Sequence, residues 1–173
     1  PGAGKTAKAI QEAIHISGLG IGPVYFVSLE MLARQLFARA VSAKSQTPFA
    51  KIRRKDRDEH YAGLQSKAIA ELAALNIHFA DSSVMRISDI IADIRTLKRR
   101  YGRIAAVYVD YLTLLEIEQE KGETRSRAVG EVTRKAKQIA NELGFPFTML
   151  AQLSREGAEG KPKIHHLRDS GEI

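Results

Sequence analysis

The 173-residue sequence has no cysteine and no tryptophan, only five prolines, and aromatic residues make up just 6% of it. Without cysteine there is neither a disulfide framework nor a thiolate metal site, an absence compatible with a reducing cytoplasm. No apolar run approaches the roughly 20 residues that a membrane-spanning helix needs, so no membrane partner is expected. Acidic residues are the scarcer charge: 20 Asp and Glu stand against 27 Lys and Arg, a net charge of +7. That balance favours a polyanionic partner without identifying one. His165 and His166 are adjacent but lack a third ligand at useful spacing, so they read as loop residues and not as a metal site. With 44% hydrophobic and 27% charged residues, the chain has the composition of one globular domain, long enough to bury roughly 70% of its unfolded surface.

What the sequence does contain starts at its first residue. Pro1-Gly2-Ala3-Gly4-Lys5-Thr6 supplies the end of the pattern G-x-x-x-x-G-K-[ST]. In that pattern successive backbone N–H groups curl around phosphate oxygens, the lysine reaches the outer phosphates and the hydroxyl holds Mg²⁺. The pattern's opening glycine would precede Pro1, and there is no initiator Met, so the chain is expected to be an internal piece of a longer polypeptide. Ala7, Ile10, Ala13 and Ile14 then recur at helical spacing, with Gly18 as the expected C-cap. The N-terminus of that helix points at the phosphates.

Val24 to Ser28 reads as a buried parallel strand, delivering Glu30 to the sheet edge where ligands gather in open α/β folds. Glu30 is either a water-activating carboxylate or an acid in the first turn of the next helix, which runs from about Leu32 to Ser45. The basic run Lys51 to Arg57 reads as a solvated loop and helix start. A helix over Tyr61 to Leu75 leads to a strand at Ile77 to Ala80. Ser88 is the expected N-cap of a helix bearing Ile87, Ile90, Ile91, Ile94 and Leu97. Ile104 to Asp110 is an apolar strand that ends in a carboxylate, as required to aim one acid at a Mg²⁺ beside Thr6. Glu116 to Ser126 reads as a loop. An amphipathic helix from Val129 to Leu143 and a strand from Phe147 to Leu150 follow, and the strand delivers Gln152 to the same edge. Residues Ser154 to Gly171 form a long polar segment without apolar periodicity.

Taken together, the phosphate loop, Ser28-Leu29-Glu30-Met31 with Gln35-Leu36 and Arg39, Val109-Asp110-Tyr111-Leu112, Gln152-Leu153-Ser154-Arg155 and Leu167-Arg168-Asp169-Ser170-Gly171-Glu172-Ile173 are similar to a known set. The chain resembles, from end to end, the C-terminal ATPase domain of the DnaB-type replicative DNA helicases. The resemblance implies an α/β fold, a RecA-like P-loop NTPase core with a mostly parallel sheet flanked by helices, truncated at both ends. Residues 1–173 would form a single partial domain, lacking the first strand and N-terminal domain upstream and the last strands and arginine finger downstream.

By the same resemblance the cofactors are ATP and Mg²⁺. Glu30 would polarise the attacking water. Gly2, Ala3, Gly4, Lys5, Thr6 and Arg39 would bind nucleotide, and Thr6 and Asp110 would hold Mg²⁺. Gln152 would sense the γ-phosphate, while Arg168, Asp169 and Gly171 would lie along single-stranded DNA in the channel of a homo-oligomeric ring, commonly a hexamer. Primase and a helicase loader would be partners through the absent N-terminal domain, in the cytoplasm. Thr113 stands where Gln is usual and Ala151 where Ser is usual. Two other readings compete: a filament-forming recombination or repair ATPase, against which Ser28-Leu29-Glu30-Met31 argues, and a non-hydrolysing nucleotide or DNA-binding module, which would need no water-polarising acid.

Overall fold

The computed structural model describes residues 4–54, 59–82, 84–110, 115 and 125–151. Helix α1 (Lys5–Gly18) leads through a turn to strand β1 (Val24–Ser28), followed by α2 (Ala33–Ser45), α3 (Phe49–Arg54) and α4 (Glu59–Ala73). Strand β2 (Ile77–Ala80), helix α5 (Ile87–Tyr101), strand β3 (Ala106–Asp110), helix α6 (Arg125–Leu143) and strand β4 (Phe147–Leu150) complete the order. Among the described residues no helix is long and apolar enough to cross a membrane.

The four strands form one parallel sheet in the order β2-β1-β3-β4. The two central strands, Val-Tyr-Phe-Val-Ser and Ala-Val-Tyr-Val-Asp, are buried along their whole length, which is why they read as continuous apolar runs. Their side chains alternate between two layers. Tyr25, Val27, Val107 and Val109 pack with Ile87, Ile90 and Ile94 of α5 and Val129, Val132 and Ile139 of α6. Val24, Phe26, Ala106 and Tyr108 pack with Ala9, Ile10 and Ala13 of α1, Leu36 and Ala40 of α2 and Leu72 of α4.

This topology creates a crevice. Helix α2, which follows β1, packs on one face and helix α6, which follows β3, packs on the other, so the winding changes direction between the carboxyl ends of these two paired strands. Such a point is where ligands bind in open α/β sheets.

Three local details differ from the sequence expectations. Helix α1 continues through Gly18, and Gly20 is the residue that turns the chain, with φ +67°; only glycine takes that left-handed conformation without strain. Helix α5 begins one residue before Ser88, because the Asp89 carboxylate accepts from the N–H of Arg86 at 2.9 Å and so caps the helix from Arg86. The start of the basic run lies in the short helix α3.

Candidate functional site

The site is built at the crevice from α1, β1 and β3. Gly4 precedes α1 with φ +76°, a conformation that a Cβ would disfavour and that lets the backbone turn into the helix. The first N–H groups of an α-helix lack intrahelical acceptors, and a helix N-terminus favours an anion. The Lys5 ammonium donates to the carbonyl of Ala151, just past β4, at 3.0 Å. The phosphate-loop lysine is thereby tied to the strand that leads to Gln152.

Alternation along β3 turns Asp110 to the α1 side, two residues beyond Tyr108 and four beyond Ala106. There the Thr6 hydroxyl donates to Asp110 Oδ2 at 2.5 Å, across 104 positions of sequence. Asp110 is fully buried, and among the described residues its other carboxylate oxygen has no hydrogen-bond partner. A buried carboxylate oxygen left without a donor carries a desolvation cost unless something positive faces it.

That arrangement fits a Mg²⁺ ion. Among the described residues no three His, Asp or Glu side chains converge as a metal cage. Mg²⁺ bound with a nucleotide needs none, because phosphate oxygens and water complete its shell around one or two protein oxygens. The second carboxylate oxygen of Asp110 and the hydroxyl of Thr6 are two oxygens that could serve there.

Glu30 is exposed just past β1. The backbone around it is fixed: the N–H of Leu29 donates to the Asp110 carbonyl at 2.7 Å and the N–H of Met31 to the Ser28 hydroxyl at 3.1 Å. Helix α2 starts at Ala33, three residues later, so Glu30 is not a first-turn acid of that helix. Arg39 is half-buried further along α2, about 9 Å from its first residue at 1.5 Å per residue. Its guanidinium lies over the Phe49 ring at 5.2 Å, and among the described residues its Nε has no hydrogen-bond partner. The structure therefore joins Thr6 to Asp110, holds the neighbouring Lys5 at the end of β4 and sets Glu30 just past β1, while Arg39 lies further along α2. Gly2, Ala3, Gln152, Arg168, Asp169 and Gly171 lie outside the described residues.

The model of the DnaB-like helicase C terminal domain matches residues 1–173. The chain belongs to this family. It is 32% identical over 176 residues to the replicative DNA helicase DnaC of Bacillus subtilis (strain 168) and equally so to the replicative DNA helicase DnaB of Geobacillus stearothermophilus. In both comparisons the match covers 100% of this chain and 38% of the relative, so the chain spans well under half the length of these proteins. Among solved structures, a DnaB-like replicative helicase described with its interactions with primase superposes with a TM-score of 0.90 at 30% identity, over 100% of this chain and 42% of that one. A second solved structure, of an ATPase domain, gives 0.89 at 30% identity, over 99% of this chain and 62% of that one. The parallel sheet and its flanking helices are thus the RecA-like core of a P-loop NTPase.

Within this DnaB-like core, sequence reasoning missed Asp81. Its carboxylate accepts from the N–H of Ala33 at 2.8 Å and caps α2 from the end of the neighbouring strand. The available signal was an acid placed immediately after a strand at the ligand-bearing edge.

Proposed function

We propose that the chain is the ATP-hydrolysing core of a replicative DNA helicase, one partial RecA-like ATPase domain of a longer cytoplasmic polypeptide. On this reading the complete gene product forms a homo-oligomeric ring, a hexamer, that couples ATP hydrolysis to movement along single-stranded DNA and to unwinding of the duplex. Primase and a helicase loader are its further partners. The observation that carries the reading is the Thr6 hydroxyl on Asp110 with the second carboxylate oxygen left orphaned, in a chain matched by the family model throughout.

The residues divide the work. The N–H groups at the start of α1 and the Lys5 ammonium bind phosphate oxygens, Lys5 exchanging the Ala151 carbonyl for one of them. Thr6 and Asp110 are the residues that would hold Mg²⁺, which when bound neutralises charge on the phosphates. Glu30 polarises the attacking water, whose proton moves onto the carboxylate as the water oxygen approaches the γ-phosphorus. Arg39 adds a contact to phosphate, Gln152 reports the γ-phosphate, and Arg168, Asp169 and Gly171 follow the DNA backbone.

Two variants of the complete gene product separate binding from chemistry. Lys5→Ala weakens ATP binding and abolishes turnover, because Lys5 contacts the nucleotide in ground and transition states alike. Glu30→Gln keeps ATP bound and lowers turnover by roughly 10² or more, the scale of one general base. Equilibrium ATP binding and steady-state hydrolysis measured on both variants make the distinction, and near-normal turnover in Glu30→Gln would sink the assignment.

A further inference from the structure

The segment that carries Glu30 is held far more firmly than an exposed turn needs to be. Its N–H groups are taken up on both sides of Glu30, two by local side chains and two by acceptors distant in sequence. Leu29 donates to the carbonyl of Asp110 on β3 at 2.7 Å, and Met31 donates to the hydroxyl of Ser28, itself buried, at 3.1 Å. Leu32 donates to Gln35 Oε1 at 3.3 Å, and Ala33 to Asp81 Oδ2 at 2.8 Å. The residue at the N-cap of α2 is Leu32, which has no side-chain acceptor and makes no cap hydrogen bond. Gln35 takes the Leu32 N–H from within the helix, and the shorter bond, to the next N–H at Ala33, comes from Asp81, 48 positions away in sequence. A carboxylate there also opposes the positive end of the helix dipole.

We propose that Asp81 is a positioning residue for Glu30: by capping α2 from the end of β2 it fixes the start of that helix, and with Ser28 it holds the turn that aims the Glu30 carboxylate into the crevice. This rests on the reading of Glu30 as the group that polarises water. The physical reason is geometric. Strands β2, β1 and β3 are hydrogen-bonded neighbours, so the Asp81, Ser28 and Asp110 anchors move as one rigid edge. The turn is thereby referenced to the strand that bears Asp110, and small errors in aim have large effects on rate.

The test is made in the complete gene product. Asp81→Ala lowers kcat for ATP hydrolysis roughly ten-fold while KM and the affinity for a non-hydrolysable ATP analogue stay within about two-fold, since a loosened base slows chemistry without touching the phosphate contacts. Asp81→Asn keeps an oxygen acceptor and recovers most of the rate. Asp81→Ala placed on Glu30→Gln lowers the residual rate no further, because it acts through the group already removed. A cap that only stabilises the fold predicts something different: a lower melting temperature with unchanged kcat, or a loss of analogue binding in step with the loss of rate. Either result overturns the proposal, as does an equal deficit in the Asn and Ala variants, or a further loss on the Glu30→Gln background. If Glu30→Gln itself turns over ATP normally, the reading of Glu30 fails and takes the proposal with it. If Glu30→Gln is inactive and Asp81→Ala is normal, only the positioning role fails.

Discussion

The two faces of the sheet are packed from different materials. Under α5 and α6 the core is branched aliphatic: Ile87, Ile90 and Ile94 meet Val107, Val109, Val129 and Val132. Under α1, α2 and α4 it is richer in alanine: Ala9, Ala13, Ala40 and Ala106 share the cluster with Phe26, which stacks on Tyr108 at 5.6 Å between centroids. That second face encloses a cavity of about 200 Å³ lined by Ile10, Ala13, Phe26, Phe37, Ala40 and Leu72 among others. Small side chains let a helix lie close on a sheet, at some cost in packing. The Thr6 to Asp110 bond thus lies on the face with more alanine in its core.

The largest way to break this comparison is on the aliphatic face. Ile90 is fully buried, so Ile90→Ala should cost about 2–5 kcal/mol, the removed methyl groups plus the cavity they leave. Denaturant unfolding measures it. Nucleotide affinity of the fraction that stays folded should be unchanged, because α5 contributes nothing to the Lys5, Thr6 and Asp110 group. Ala9→Leu tests the other face. Ala9 is 2% exposed against the sheet, and three extra carbon atoms there overpack the layer at about 1–3 kcal/mol. Unlike Ile90→Ala it should also lift the start of α1 and weaken Mg²⁺-dependent ATP binding. If the two variants affect binding equally at matched stability, the division of labour between the faces is wrong.

Much of this division was legible in the sequence. An apolar run closed by Asp110 identifies its strand because both neighbours of a central parallel strand must be apolar, and period-two alternation then decides which layer each residue enters. The spacing of Ile90 and Ile94 on α5, and of Val129, Val132 and Ala136 on α6, gave the helices and their buried faces. What was not legible was set by partners distant in the chain. Asp81 before Ser82 looks like an ordinary turn acid, and nothing near it indicates that its acceptor role is filled at Ala33. The start of α5 was misplaced by the presence of two capping residue types, Ser88 and Asp89, either of which fits a helix start; the reciprocal bond from Arg86 to Asp89 decided it. The start of α2 at Ala33 removes the reading of Glu30 as an acid in that helix's first turn, and the N–H of Ala33 is held by Asp81.

The smallest expected effect sharpens the comparison by placing a pH dependence on one face alone. Strand β2 presents Ile77 and Phe79 to the α1 and α4 layer, and alternation turns His78 to the opposite layer, where its ring lies 5.4 Å from that of Tyr101 on α5 and its Nε2 pairs with Asn76 Oδ1 at 2.9 Å. Burial holds the His78 pKa below the usual histidine value, and the nearby Arg100 cation pushes it the same way. The sign follows from linkage. As pH falls, the unfolded chain takes up this proton first, near pH 6.5, while the folded protein resists it. The contribution of neutral His78 is therefore fully present above about pH 6.5 and is lost as pH falls from there through the lower folded value. His78→Gln, which cannot titrate, should flatten the fall in denaturation midpoint between pH 7.5 and pH 5.5, and Arg100→Gln should flatten it by a smaller part, since burial is the larger cause. Nucleotide binding, governed from the other face, should show no matching change between wild type and His78→Gln across that window. Equal pH slopes in the wild type and His78→Gln proteins would show that the ring is solvated enough to titrate as in the unfolded chain.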